Sequence, residues 1–259
     1  MATDVPKLDH GLNIPTIRQV SVTQPFVWLK SGWRDFLEHP APSMFYGALV
    51  VLCGVFIFYV GLKKPFFVLT ATSAYPLLAP LLAAGIYELT RQREMGRTHP
   101  TLGDSLKGLF DDAGSVINYG VILSVCVLVW ERVATTMFAL AYSGEIPSLD
   151  TFMSKILFSQ DFMLVAVAWV VVGGILASVV FAITMVGIPM VVDRKVDAIT
   201  AMVTSVRAVR KNVGAMSVWA GIIVVMSLIG WATLMLGLLV IMPVLGHATW
   251  CAYRDLVQK

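Results

Sequence analysis

From Ala215 to Trp250 the chain runs for 36 residues without a single Asp, Glu, Lys or Arg. As one α-helix that run would measure ~54 Å, far more than the ~30 Å hydrocarbon core of a bilayer, so it must turn back on itself within Gly230–Gly237. Comparable apolar stretches recur along the sequence. With 58% hydrophobic and only 14% charged residues, against ~45–50% and ~25% in ordinary soluble domains, the chain has more apolar surface than a water-soluble core can hide. A backbone in hydrocarbon must satisfy its own hydrogen bonds, and without strand alternation the solution is helical. The expected class is an all-α polytopic membrane protein.

Six spans are predicted, at about Ser43–Gly61, Phe66–Leu89, Ala113–Val133, Phe162–Val192, Ala215–Gly230 and Leu236–Trp250. No apolar run with a small-residue cleavage site precedes Ser43, so the first span is expected to direct insertion itself. An even number of spans puts both termini on one side. That side collects 15 of the 19 Lys and Arg residues, leaving Lys63, Lys64, Arg132 and Lys155 opposite, and the positive-inside rule makes it the cytoplasm.

Phe26 to Pro40, FVWLKSGWRDFLEHP, is too charged to cross a membrane, yet at 100° per residue Phe26, Leu29, Trp33, Phe36 and Leu37 share one stripe. Two further segments align with it without gaps: HPTLGDSLKGLFDDA from His99 and ITAMVTSVRAVRKNV from Ile199. Their stripes are Leu102, Leu106, Leu109 and Phe110, and Ile199, Met202, Val203, Val206 and Val209. Each precedes an odd-numbered span, and each even-numbered span carries proline: Pro76 and Pro80, Pro189, and Pro243. The expected unit is an amphipathic surface helix plus a helical hairpin, repeated three times at about residues 25–92, 98–195 and 198–256. Residues 1–24 are expected to form a flexible cytoplasmic segment before one six-span domain over 25–256.

The charged pair Glu131-Arg132 interrupts an apolar stretch, and the alignment sets Glu131 over Phe58, at the outer end of the first span. Beside Trp130 it is expected to be an exposed interfacial pair rather than an intramembrane one. Glu88 and Arg91, three apart, are expected to pair at the surface. His247 and Cys251 lie four apart on one helix face and are candidate metal or haem ligands, although two ligands are not a site. Packing and a hydrogen bond between helices are the simpler expectation for them. Three cysteines at irregular spacing argue against a disulfide framework or zinc knuckle, and a net charge of +3 gives no ground for nucleic-acid binding. No nucleophile elbow, phosphate-binding loop or dinucleotide fingerprint is present.

GIYELTRQREMG, from Gly85, and LGHATWCAYRDLV, from Leu245, close the second and sixth spans. Within the repeat Pro80, Tyr87 and Arg91 correspond to Pro243, Trp250 and Arg254, an aromatic and a basic residue expected to anchor each helix at the interface. With HPTLGDSLKGLF and the Pro189 region, these motifs resemble an uncharacterised family of predicted bacterial integral membrane proteins, a domain of unknown function (number 2189), over about residues 20–257. The resemblance implies a bacterial inner-membrane location and brings no established activity. A link to cytochrome c oxidase carried by some relatives does not transfer, because this chain lacks the intramembrane histidines that ligate haem and copper. The functional expectation is a non-enzymatic scaffold or accessory subunit of a larger membrane complex, a respiratory one among the candidates, without cofactor, with the bilayer and other membrane subunits as partners. Phe26, Leu29, Trp33, Phe36, Tyr87, Arg91, Trp250 and Arg254 are its candidate contact residues. A transporter or channel for a small solute or lipid, and a metal- or haem-handling protein, remain the alternatives.

Overall fold

A computed structural model describes residues 14–38, 40–61, 75, 79–97, 100–110, 113–141 and 160–258. Ten helices are described: α1 (Gln24–Glu38), α2 (Pro40–Gly61), α3 (Ala84–Glu94), α4 (Leu102–Phe110), α5 (Ala113–Ala141), α6 (Gln160–Thr184), α7 (Gly187–Arg194), α8 (Ala198–Lys211), α9 (Val213–Ala232) and α10 (Leu238–Leu256). Among the described residues there is no strand, only a lone antiparallel bridge between Ile17 and Val257.

Among the described residues, four segments are long and apolar enough to cross a membrane: Pro40–Tyr59, Gly114–Met137, Met163–Arg194 and Val213–Ala232. They coincide with the first, third, fourth and fifth expected spans. Half of the expected second span, Phe66–Leu89, lies outside the described residues. The sixth corresponds to α10, whose apolar first half gives way to His247, Thr249, Arg254 and Asp255, so it does not join the four. The required turn falls at residues 233–237, where Leu234 and Met235 adopt left-handed φ of 53° and 68°.

Near Pro189 the long fourth segment breaks between α6 and α7, at Met185 and Val186. Proline has no N–H to donate and is tolerated in a first helical turn, where donors lack intrahelical acceptors anyway. The N–H of Val186, set free by the break, donates to Ser205 Oγ of α8 at 3.0 Å. α8 itself starts at Asp197, whose side chain caps Thr200 N–H at 2.9 Å.

α4 and α8 turn a narrow face of small or polar residues inward, and α1 joins two aromatics, Trp28 and Phe36, to such a face. In α1 the buried positions are Pro25, Trp28, Gly32, Asp35 and Phe36, and in α8 they are Ala198, Thr200, Ala201, Thr204, Ser205 and Ala208. In α4 the buried residue is Ser105. The large apolar stripe expected to seat α1 is therefore only partly used. Leu29 packs against the core and Phe36 is buried, but Phe26 is 59% exposed, Trp33 48% and Leu37 57%. The reason is close approach: at Gly32 an added Cβ would lie 2.6 Å from Val244 O and Ala248 N of α10, so only the small face lets the two helices meet. Ser105 and Ser205 occupy the aligned position in α4 and α8. Ser105 Oγ donates to Gly85 O of α3 at 2.8 Å, and Ser205 holds Val186 before α7.

α10 lies at the centre, with α1, α2, α3, α7 and α9 packed around it. The first described residues join it too. Arg18 N–H donates to Leu256 O at 2.8 Å and Gln258 N–H to Thr16 O at 3.1 Å, so residues 16–18, expected to be loose, form an extended strap along the C-terminus.

Candidate functional site

The C-terminal ends of α3, α7 and α10 converge, and each ends in charge: Arg91 to Glu94, Asp193 and Arg194, Arg254 and Asp255. Arg254 ties the three together, donating from one guanidinium nitrogen to Glu94 of α3 and from the other to Asp193 Oδ2 of α7 at 2.9 Å. Tyr253 O–H donates to the same Asp193 oxygen at 2.7 Å, and Arg194 Nε donates to the Tyr253 oxygen at 3.0 Å. Trp250 Nε1–H donates to Glu94 Oε1 at 2.9 Å, its ring stacked on Tyr87 with centroids 6.3 Å apart. Tyr87, Trp250 and Arg254 were expected as interfacial anchors; instead both rings are buried and all three residues clamp helix ends to one another.

α1 is fastened to the same layer. Arg93 donates to Asp35 Oδ1 at 2.8 Å and Glu38 Oε2 at 2.7 Å, while Trp28 Nε1–H and Gln24 Nε2 donate to Asp255 Oδ2 at 2.7 and 2.8 Å. Burial pushes the Asp35 carboxyl above its ordinary range, against the opposing pull of Arg93.

Glu88 is the least expected member. The pairing with Arg91 is present, with Nε and Nη2 donating at 2.7 and 2.8 Å, but it is not a surface pair: the Glu88 carboxylate is 1% exposed and Arg91 20%. Gln92 Nε2 adds a third donor at 2.7 Å and also reaches Asp104 O at 2.9 Å. Gly108 of α4 leaves room for the carboxylate, because any Cβ there would run into it.

His247 and Cys251 point to different helices. Thr90 Oγ1, which donates to Ile86 O at 3.0 Å, lies 2.7 Å from His247 Nδ1, and Ser43 Oγ lies 3.0 Å from Nε2. With Thr90 Oγ1 already donating to Ile86 O, the contact to Nδ1 and the Ser43 contact to Nε2 join α2, α3 and α10 through one ring. Cys251 Sγ instead faces Asp35 Oδ2 at 4.0 Å. Among the described residues no group of three or more His, Cys, Asp or Glu side chains is arranged to hold a metal ion.

Glu131 and Arg132 lie on the outer surface of α5, 3.4 Å apart, with Arg132 84% exposed. Beside them Trp130 is buried edge-on against Trp169, at 6.0 Å between centroids. Among the described residues the one buried side-chain polar atom without a partner is Trp219 Nε1. The members of the polar layer bond one another, which fastens the ends of α1, α3, α7 and α10 together.

Comparison with known proteins agrees with the membrane reading. A family described as "Predicted integral membrane protein (DUF2189)" matches residues 67–193, a shorter stretch than the sequence motifs suggested. No curated protein and no solved structure matches the chain.

Proposed function

Starting from a chain whose residues 67–193 match a family of predicted integral membrane proteins, we propose a non-enzymatic scaffold or accessory subunit that binds other membrane helices through its α5–α6 arm. The observation that carries this reading is the bareness of that arm. Of the Met163–Arg194 segment only 6% of the apolar window is buried, and of Gly114–Met137 only 17%. Gly174 and Ser178, four apart on α6, face open space, whereas Gly173 is pressed against the Trp130 ring. Small residues one turn apart let membrane helices approach closely.

The proposed architecture is six spans in three units, with both termini on the cytoplasmic side of a bacterial inner membrane. Supporting it, Gly32, Ser105 and Ser205, aligned in the sequence, each meet the returning helix of the preceding unit, with α1 closing the circle on α10. The transport alternative draws on Pro189 and Pro243, and Ser205 already serves the break next to Pro189. Extraction in mild detergent followed by native mass spectrometry tests the proposal. A stoichiometric membrane-protein companion that is lost on Gly174→Leu is the expected result. A lone monomer carrying a bound solute would overturn it.

A further inference from the structure

The corner where the N-terminal strap, α8 and α9 meet carries a charge that the other surface helices lack. α8 has Arg207, Arg210 and Lys211 toward its end and no Asp or Glu along its length. α1 offsets Lys30 and Arg34 with Asp35 and Glu38, and α4 offsets Lys107 with Asp104. Basic residues at a helix C-terminus complement its dipole, which explains one or two of them.

The strap adds another. Lys211 Nζ donates to Ile17 O at 2.7 Å, Asn212 Nδ2 to Arg18 O at 3.0 Å, and Val20 N–H to Asn212 Oδ1 at 2.9 Å. These bonds hold Arg18 beside the end of α8, with Arg18, Arg210 and Lys211 all exposed. Asp255, the acid on the neighbouring helix, is turned to Gln24 and Trp28. Immediately beyond the basic residues the surface becomes apolar: Val22 and Val213 are exposed, Val22 lies over Gly214, and Val213 opens α9, long and apolar enough to cross a membrane. Positive charge set directly above apolar surface at the mouth of a span matches the two ends of one molecule, an anionic phospholipid.

We propose that this corner binds an anionic phospholipid, its phosphate held by Arg18, Arg210 and Lys211 and its acyl chains lying on Val22, Val213 and the flank of α9. The site is independent of the accessory-subunit reading, since it needs no protein partner. Native mass spectrometry of the full chain in neutral detergent, titrated with phosphatidylglycerol or phosphatidylcholine of identical chains, tests it. Phosphatidylglycerol is expected to stay bound under activation that strips phosphatidylcholine. The Arg18→Gln/Arg210→Gln variant is expected to bind phosphatidylglycerol about 10- to 30-fold more weakly, from the loss of two bases at a charged lipid surface. Lys30→Gln/Arg34→Gln is expected to bind as the parent does. Melting without added lipid checks that both variants are folded, and Arg210→Gln alone serves if the double variant is not. Equal retention of the two lipids by the parent, or equal weakening in both variant pairs, would overturn the proposal.

Discussion

α10 and α6 are both long helices rich in Val, Leu and Ile, yet protein surrounds one and almost nothing covers the other. α10 is buried at nearly every position from Met242 to Tyr253, whereas α6 rests on α5 and α8 and leaves Leu164, Val170 and Ile175 bare. In water the more apolar helix would be the inner one. Here the inner helix carries Pro243, Gly246, His247, Thr249, Arg254 and Asp255, and the outer one is a run of branched apolar residues. Lipid solvates Val and Leu as well as protein does, so hydrophobicity gives no reason to bury α6. Polar groups have no such partner in hydrocarbon and gather around α10, and small residues let its neighbours close in.

Breaking the polar side of this comparison should have the largest effect. Arg91→Ala leaves Glu88 in a site 1% exposed with only Gln92 to serve it, and should cost ~3–5 kcal/mol, read as loss of the folded species in detergent. Glu131→Gln/Arg132→Gln, the exposed pair on the arm, provides the contrast given below.

Close packing comes next. Gly47 meets the Leu239 backbone and Gly32 the backbone of Val244 and Ala248, so Gly→Ala at either position should lower stability by ~1–3 kcal/mol. At Gly174 and Gly221 an added methyl meets nothing, and the same change should leave melting unaltered or raise it slightly. A uniform response across the four glycines would erase the distinction between the packed centre and the bare faces of α6 and α9.

Trp28→Phe removes the indole donor to Asp255 while keeping most of the ring's packing, and should cost ~1.5–3 kcal/mol in thermal unfolding. The smallest effect belongs to Glu131→Gln/Arg132→Gln, expected at ~0–1 kcal/mol because Arg132 is 84% exposed. A large loss there would mean that the pair is held in hydrocarbon.

What the sequence made legible follows the same division. Apolar runs are local, so α2, α5, α6 and α9 and the turn at 233–237 could be read directly. The amphipathic helices were legible as helices, but the inner face of α1 was not, because apolarity pointed to Phe26 and Trp33 while fit against α10 chose Gly32 and Trp28. The polar layer was hidden for another reason. Its partners lie far apart in the chain, as with Trp250 and Glu94 or Trp28 and Asp255, and no local pattern marks them. Glu88 and Arg91 were visible as a pair, but nothing in their spacing showed that Gly108 would enclose them.

In the proposed six-span architecture α10 crosses the membrane despite its polar half, so that α9 and α10 form a hairpin returning to the side from which α8 enters. Replacing Cys53, Cys126 and Cys251 and placing single cysteines at Arg210, at the end of α8, at Leu234, in the α9–α10 turn, and at Gln258, beyond α10, tests it with a membrane-impermeant maleimide on intact cells. The expected result is labelling at 234 from outside, and labelling at 210 and 258 only after the membrane is opened. Labelling of 234 and 258 from the same side would show that α10 does not cross, and would contradict the six-span architecture.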